Sequence, residues 1–507
     1  MKSIPKDRLG VPADLALYIF PGEHIIKLEY IKSAPIQHNP SSLHELYRLA
    51  RTELSQSLRT WNPPLASLAI ETDQETPGEL HRYEALFGRD ALRVAIDLLP
   101  FYPLLARKTI VSLAELQGTT FDSKKEEEPG RIPHEIRKAS DLIARQLTKQ
   151  FGWDWPYYGS VDTTPEFIRT IVAYCRDSKE GTDFLFSHYT NKDGKDCLIA
   201  DALGDALNWI VTRCDSNPEH LLEFKSAIPG GIENQAWKDS WDAYFHSDGS
   251  MANHKKGVAS VEIQRVVYDA LIDTAELYEN TLNKPFQAIN LRKRALALRE
   301  VIFQEFWTDE KGGYFVLATD RDNAGKLRQL KIRTSNMGHL LHSRLLEGDE
   351  PILQHYRQAI VRQLFSPVLL AGNGIRTLAS DETRYRPGAY HNGSIWLWDA
   401  YFIVQGLHKH NYHLLANELS NRLLVVIDKT KLFPEFVRGD NSKVPQLNER
   451  VVDVWDEVNQ RTNRIEQPPQ QVQAWSVAAI IALHHYNDVI HNYATPSKFE
   501  LKIIASI

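Results

Sequence analysis

Cysteine is scarce in this 507-residue chain: Cys175, Cys197 and Cys214 are odd in number and lack metal-ligand spacing. A disulfide framework is thereby excluded, and a reducing, cytoplasmic compartment is expected. Basic clusters are missing as well. Lysine and arginine are scattered and the net charge is −6, so there is no electrostatic footprint for nucleic acid or an anionic membrane, and neither partner is expected. The opening MKSIPKDRLGVPADLALYIFPG interrupts every apolar run with a charge or a proline, leaving no stretch for a signal peptide or a spanning helix. Histidines do group, in HKHNYH (His408, His410, His413) and HHY (His484, His485), but no third ligand of matching type follows. No metal is expected.

Also lacking are Gly/Ser linkers and a repeat of fixed period, which argues against tandem domains and an α-solenoid. What is present is helical periodicity nearly throughout. SSLHELYRLARTELSQSLRTW (41–61) opens on a serine cap; RDALRVAIDLLPFYPLLARKTIVSLAELQG reads as two helices broken near Pro100 and Pro103; RKRALALREVIFQEFW and GSIWLWDAYFIVQGLHKH behave likewise. The best strand signal is GGYFVLATD. Long irregular segments, 120–135, 151–167, 371–394 and 433–470, separate the helices, and loops of that length are usually functional. The expected architecture is all-α: one catalytic domain over 41–490, a toroid of six helical hairpins with an inner and an outer ring, flanked by appendages at 1–40 and 491–507.

Seven of the eleven tryptophans fall in four short boxes. They are Trp153 and Trp155 in FGWDWPYYGSVDTTPEF, Trp237 and Trp241 in NQAWKDSWDA, Trp396 and Trp398 in YHNGSIWLWDA, and Trp475 in QVQAWS. In each, the indole has acids, amides or hydroxyls for neighbours. Core packing would set aromatics among Leu, Ile and Val; sugar recognition, with rings stacked on indole and hydroxyls bound by carboxylates, explains the mixture. Arg89 and Asp90 follow a glycine at a helix start in RYEALFGRDAL, where a charge pair with an Asp cap is the plain alternative.

Together with EEEPGRIPHE, VEIQRVVYDA, TSNMGHLL, GNGIRTLA and FPEFVRGD, these boxes resemble in order the C-terminal catalytic domain of glycogen debranching enzymes, the amylo-α-1,6-glucosidase family, whose clan has the (α/α)6 fold. The resemblance runs from residue 44 to residue 485. It implies an inverting glycoside hydrolase without cofactor, acting on a carbohydrate with an α-1,6 or other α-glucosidic linkage. The family's general acid falls on Asp239 and its base on Glu435. Arg89 and Asp90 fall on the hydroxyls of the terminal sugar, with Tyr158, Asp162, Trp237, Glu262, Gln264, His391 and Trp396 around the pocket. Family members usually carry a β-rich domain ahead of the toroid; the 40 residues here imply a small glucoside or oligosaccharide rather than a long glycogen branch.

Physical reasoning runs alongside. Six hairpins over 41–490 allot roughly 75 residues to each, so Asp239 and Glu435 stand between two and three hairpins apart, near opposite sides of a ring. A carboxyl hemmed by Trp237 and Trp241 is poorly solvated when ionised, which favours the protonated form an acid needs, and on a helix Lys238 would diverge from it. Arg438 is expected to favour ionised Glu435. Asp242, three residues on, is the rival acid; Glu262 and Gln264 equally fit a buried polar network, and EEEPGRIPHE a solvated loop. A phosphorylase of the same fold and a non-catalytic glycan-binding protein remain the other readings.

Overall fold

The computed structural model describes residues 64–68, 83–138, 141–447, 450–456, 461–467, 469–489 and 497–507. The helix expected over 41–61, the appendage 1–40 and residues 491–496 lie outside them. Helices alternate between two kinds. α1 (Gly88–Asp97) and α2 (Pro103–Glu115) form a hairpin, with Pro103 at the first turn of α2, where its missing N–H leaves no gap. α3 (Leu142–Phe151), capped by the Asp141 carboxylate, is a short excursion before α4 (Thr163–Asp177) and α5 (Ile199–Cys214). α6 (Val261–Asn280) pairs with α7 (Pro285–Glu305). The short α8 (His339–His342) continues the 3-10 turn Ser335–Gly338 and precedes α9 (Pro351–Leu364). α10 (Leu397–Lys409) pairs with α11 (His413–Thr430), followed by α12 (Ala474–Val489) and a terminal α13 (Lys498–Ile504).

The first kind closes a ring. α1 packs on α4, α4 on α6, α6 on α8, α8 on α10, α10 on α12, and α12 returns to α1. This closure is what a solenoid cannot make, and it establishes the all-α (α/α)6 toroid. Composition explains which helices go inside. In α10 every residue from Leu397 to His408 is buried, whereas α7 buries a single stripe, Ala288, Leu291, Ala295, Leu298 and Ile302, at helical spacing. A helix apolar on all sides must be surrounded; one with a stripe covers a neighbour and faces water.

Strands are short. GGYFVLATD contributes Tyr314–Phe315, paired with Trp307–Thr308, and Ala318–Arg321, which lies between Leu327–Leu330 and Val258–Ser260. One segment read as irregular is not: Arg450–Asp456 and Arg461–Gln467 form an antiparallel hairpin. The tail is tied down, because the Glu500 carboxylate accepts from the backbone N–H groups of Leu414 and Leu415 that open α11.

Candidate active site

Each inner helix is entered from a loop, and those entry points meet at one end of the ring. Gly88 begins α1 with its N–H donating to His134 O at 2.9 Å; a Cβ there would stand 2.3 Å from Pro133 O, so only glycine lets the helix start at this point. The next two residues are Arg89 and Asp90, both buried. Arg89 Nε donates to Asp162 Oδ2 at 2.7 Å, its Nη2 to Ala236 O at 2.9 Å, and its Nη1 lies 3.5 Å from Asp239 Oδ2. Asp162 sits at the N-cap of α4 but makes no cap bond to that helix; its other oxygen accepts from Ser160 Oγ, so the whole carboxylate serves to aim Arg89.

The segment 234–243 departs from the helical expectation: it is a loop ending in a β-turn in which Ala243 N donates to Ser240 O. Side chains occupy its backbone groups, with Asn234 Nδ2 donating to Ser240 O, and such local bonds compete with helix. Lys238 still points away from Asp239: it is buried, donates to Thr377 O, and is pushed down to about 7 because burial disfavours its charge. Gln235 anchors the loop from behind, accepting from Arg131 Nη2 at 2.7 Å and donating to Glu126 Oε2 at 2.6 Å. Glu126 and Glu127 are each only 3% exposed, so EEEPGRIPHE is a buried brace and not a solvated loop.

Asp239 is half-buried and its carboxyl is raised to about 6. Burial is the leading cause; the Asp162 and Glu435 charges add to it, and Arg89 opposes. Asp90, which accepts from Gln473 Nε2 at 3.3 Å, is raised to about 8, again by burial first, with Arg89 opposing and the charges of Asp239 and Glu435 adding. The charges of these three carboxyls thus act on one another. Asp242 is set apart: its backbone carbonyl accepts from Asn392 Nδ2, and its carboxylate makes no ion pair or hydrogen bond among the described residues.

Glu435 enters from the loop before α12. Asp239 precedes the third helix of the inner ring and Glu435 the sixth, so the two loops stand half a turn apart. The buried Glu435 accepts from Tyr390 Oη and from Gln470 N at 3.1 Å. Arg438, on the far side of the two-residue strand Phe436–Val437, pairs with Asp440. The pairing of Ile395–Trp396 with Phe436–Val437 stitches the Tyr390 loop to the Glu435 loop.

The remaining predicted residues divide. His391 Nδ1 accepts from Ser240 Oγ at 2.9 Å, which places the ring against the Asp239 loop. Trp237 and Trp396 are buried, with Trp396 stacked on His391 and Trp237 edge-on to His391, Trp396 and Trp398, so these indoles form a wall of aromatic contacts rather than free sugar platforms. Glu262 accepts from Tyr244 Oη and leaves Oε2 without a protein partner among the described residues. Gln264 faces elsewhere, clasping Leu222 N and O and Ser260 O, which is the buried polar network. Tyr158 is fully buried and donates to Leu116 O, propping the 116–125 loop from behind. Tyr390 and Gln473 were not singled out from sequence, although both lie in boxes that were. Among the described residues no group of three or more His, Cys, Asp or Glu side chains could hold a metal; His408 and His413 meet through their Nδ1 atoms.

A family model described as amylo-alpha-1,6-glucosidase matches residues 137–482, a segment that includes Asp162, Asp239 and Glu435. No curated protein matches the chain. Among solved structures, the GH63 mannosylglycerate hydrolase from Thermus thermophilus in complex with Tris and D-glycerate is similar at 13% identity and a TM-score of 0.55, covering 87% of this chain and 100% of that one. The same enzyme in complex with glucose matches at 13% identity and a TM-score of 0.45, over 87% and 99% of the two chains. At such identity the likeness to the first is one of fold, and it agrees with the closed inner ring. The family match extends over more than half of the sequence, and on that ground the chain belongs to the amylo-α-1,6-glucosidase family and is a glycoside hydrolase.

Proposed function

We propose that the protein is an inverting α-glycosidase that removes a terminal α-linked glucose, with Asp239 as general acid and Glu435 as general base. One observation carries the reading: two carboxyls enter from opposite sides of the inner ring, the charge of Glu435 is felt by Asp239, and their environments contrast. Asp239 is held toward its protonated form. Glu435 accepts two hydrogen bonds, which suit a carboxylate. Inversion needs this division of labour: one carboxylic acid protonates the glycosidic oxygen while the carboxylate opposite removes a proton from the attacking water. Asp90, largely protonated near neutrality, can donate as well as accept, and beside the Arg89 fork it suits adjacent sugar hydroxyls. The three free cysteines support a reducing, cytoplasmic setting.

The test is an NMR time course with an α-1,6-linked glucose disaccharide. β-Glucose as the first-formed anomer is the expected result; α-glucose first would refute inversion, and a requirement for inorganic phosphate would identify a phosphorylase. Glu435→Gln is expected to abolish turnover, and full activity in that variant would remove the residue from the base role.

A further inference from the structure

Asp239 and Glu435 enter from opposite sides of the ring, and one segment, 390–396, is bonded to both of their loops. On the Asp239 side it fixes the residue before the carboxyl and the residue after it. Lys238 Nζ donates to Thr377 O at 2.5 Å, and Thr377 donates to Ser394 O through its N at 2.9 Å and its Oγ1 at 3.0 Å. Ser240 N and Oγ donate to His391 Nδ1 at 3.3 and 2.9 Å, and Asn392 Nδ2 donates to Asp242 O. On the Glu435 side, Tyr390 Oη donates to the carboxylate, and Ile395–Trp396 pairs with Phe436–Val437. Within the segment, Ser394 Oγ donates to Tyr390 O, which also accepts from Trp396 Nε1 at 2.9 Å. A series of hydrogen-bonded residues therefore leads from Lys238 through Thr377, Ser394 and Tyr390 to Glu435.

Lysine is a costly residue at position 238. Its side chain is 1% exposed, with Nζ 5.5 Å from the centre of the Trp237 ring, where methionine would pack with no charge to desolvate. Its bond goes to a neutral carbonyl, and the charges of Asp399 and Glu262, which favour the ammonium, are outweighed by burial. Thr377 and Ser394 are wholly buried as well, and hydrogen bonds shielded from water hold their geometry firmly. Inversion depends on that geometry, because the two carboxyls must stand roughly 6.5 to 9.5 Å apart to admit one water. We infer that segment 390–396 is the gauge that sets the distance between the proposed acid and base. Lys238 is its positioning residue on the acid side, acting on Glu435 through Thr377, Ser394 and Tyr390. This inference rests on the glycosidase reading above and adds a positioning residue to that same site.

Two substrates separate the acid from the base. The glycosidic oxygen of isomaltose must be protonated, whereas the fluoride of α-glucosyl fluoride leaves without a proton from Asp239, and Glu435 still takes one from the attacking water. A lysine that only held the Asp239 loop would matter to isomaltose alone. Lys238→Met is instead expected to lower kcat for both substrates by roughly 10-fold with KM little changed. Tyr390→Phe cuts the same series at its other end, so the double variant should lose roughly 10-fold on the fluoride and not the roughly 100-fold of two independent sites. Thr377→Val keeps the carbonyl that Lys238 binds and removes the Oγ1 bond to Ser394. It should show the same fall and the same non-additivity with Tyr390→Phe, and it decides the matter if Lys238→Met melts below the assay temperature. Full activity of these variants on the fluoride, or losses that multiply in the double variants, would overturn the gauge while leaving the glycosidase reading intact. Wild-type inactivity toward both substrates would overturn both.

Discussion

Nη1 of Arg89 lies 3.5 Å from Oδ2 of Asp239, while the Nε of the same guanidinium is held at 2.7 Å by Asp162. The proposed acid is thus beside a cation whose shorter contact is with another carboxylate. Burial and the charges of Asp162 and Glu435 prevail over Arg89, and Asp239 is raised to about 6. A general acid must carry its proton, so kcat/KM should fall as pH rises through that value. Asp162→Asn removes a charge that raises Asp239 and frees Arg89 to turn toward it; both effects lower the carboxyl, and the alkaline limb of the pH profile should move to lower pH. An unmoved limb would show that Asp162 does not act on Asp239, and a limb that moved upward would contradict the sign of its effect. Asp239→Asn itself should lower kcat/KM by roughly 10²- to 10⁴-fold.

Asp90 gives a stability prediction of definite sign. Raised from 3.8 to about 8, it holds its proton in the folded protein where the unfolded chain has lost it. The folded state then binds more protons, so this residue's contribution is fully present below pH 4 and is lost as pH rises toward 8. Asp90→Asn cannot ionise and should flatten that decline, leaving the variant more stable than the parent at pH 8 by an amount on the order of a few kcal/mol. Urea unfolding at pH 5 and pH 8 measures it; equal slopes in the two proteins would contradict it. Activity should fall in the same variant, since a site holding its carboxyls together stores electrostatic cost for use on substrate.

Much of this arrangement was legible because it depends on periodicity. The all-round apolar run of α10 and the single stripe of α7 assign inner and outer positions directly, and hairpin spacing set Asp239 and Glu435 half a ring apart. Direction within a box was not legible. Trp237 and Trp396 stand among polar residues in sequence yet face other rings in space, because their packing partners arrive from other loops. Gln473 meets Asp90 from 383 residues away, and nothing local to either one signals the contact. The helical reading of NQAWKDSWDA failed for a different reason: the Asn234 and His391 side chains took over the backbone carbonyl and N–H of Ser240 that a helix would have used.

Tyr390 orients the proposed base, Glu435. Its hydroxyl donates to Glu435 Oε1, and Gln470 N donates to the other oxygen, so the carboxylate is pinned at both atoms. Tyr390→Phe keeps the ring, which contacts Trp396 and Phe436, and removes one of the pins. The expected result is a kcat reduced about 10-fold, the weight of one hydrogen bond to a charged group, with KM little changed. A rise in KM without loss of kcat would instead assign Tyr390 to substrate binding.

Gln264 and Glu262 are two residues apart on α6 and were read together as pocket lining, but their surroundings differ. The Gln264 amide is fully engaged, accepting from Leu222 N and donating to Leu222 O and Ser260 O, and the side chain is wholly buried. Gln264→Ala strands both backbone groups of Leu222, and orphaned buried partners cost roughly 1–3 kcal/mol each. A loss of about 2–4 kcal/mol in unfolding free energy is therefore expected, with KM unchanged in the protein that remains folded. Glu262, with Oε2 unpartnered among the described residues and Oε1 accepting from Tyr244, should show the reverse pattern in Glu262→Gln: near-native stability and a raised KM. Parallel behaviour of the two variants, in thermal melts and in substrate titrations, would mean that α6 presents both residues to the same environment, contrary to their hydrogen bonding.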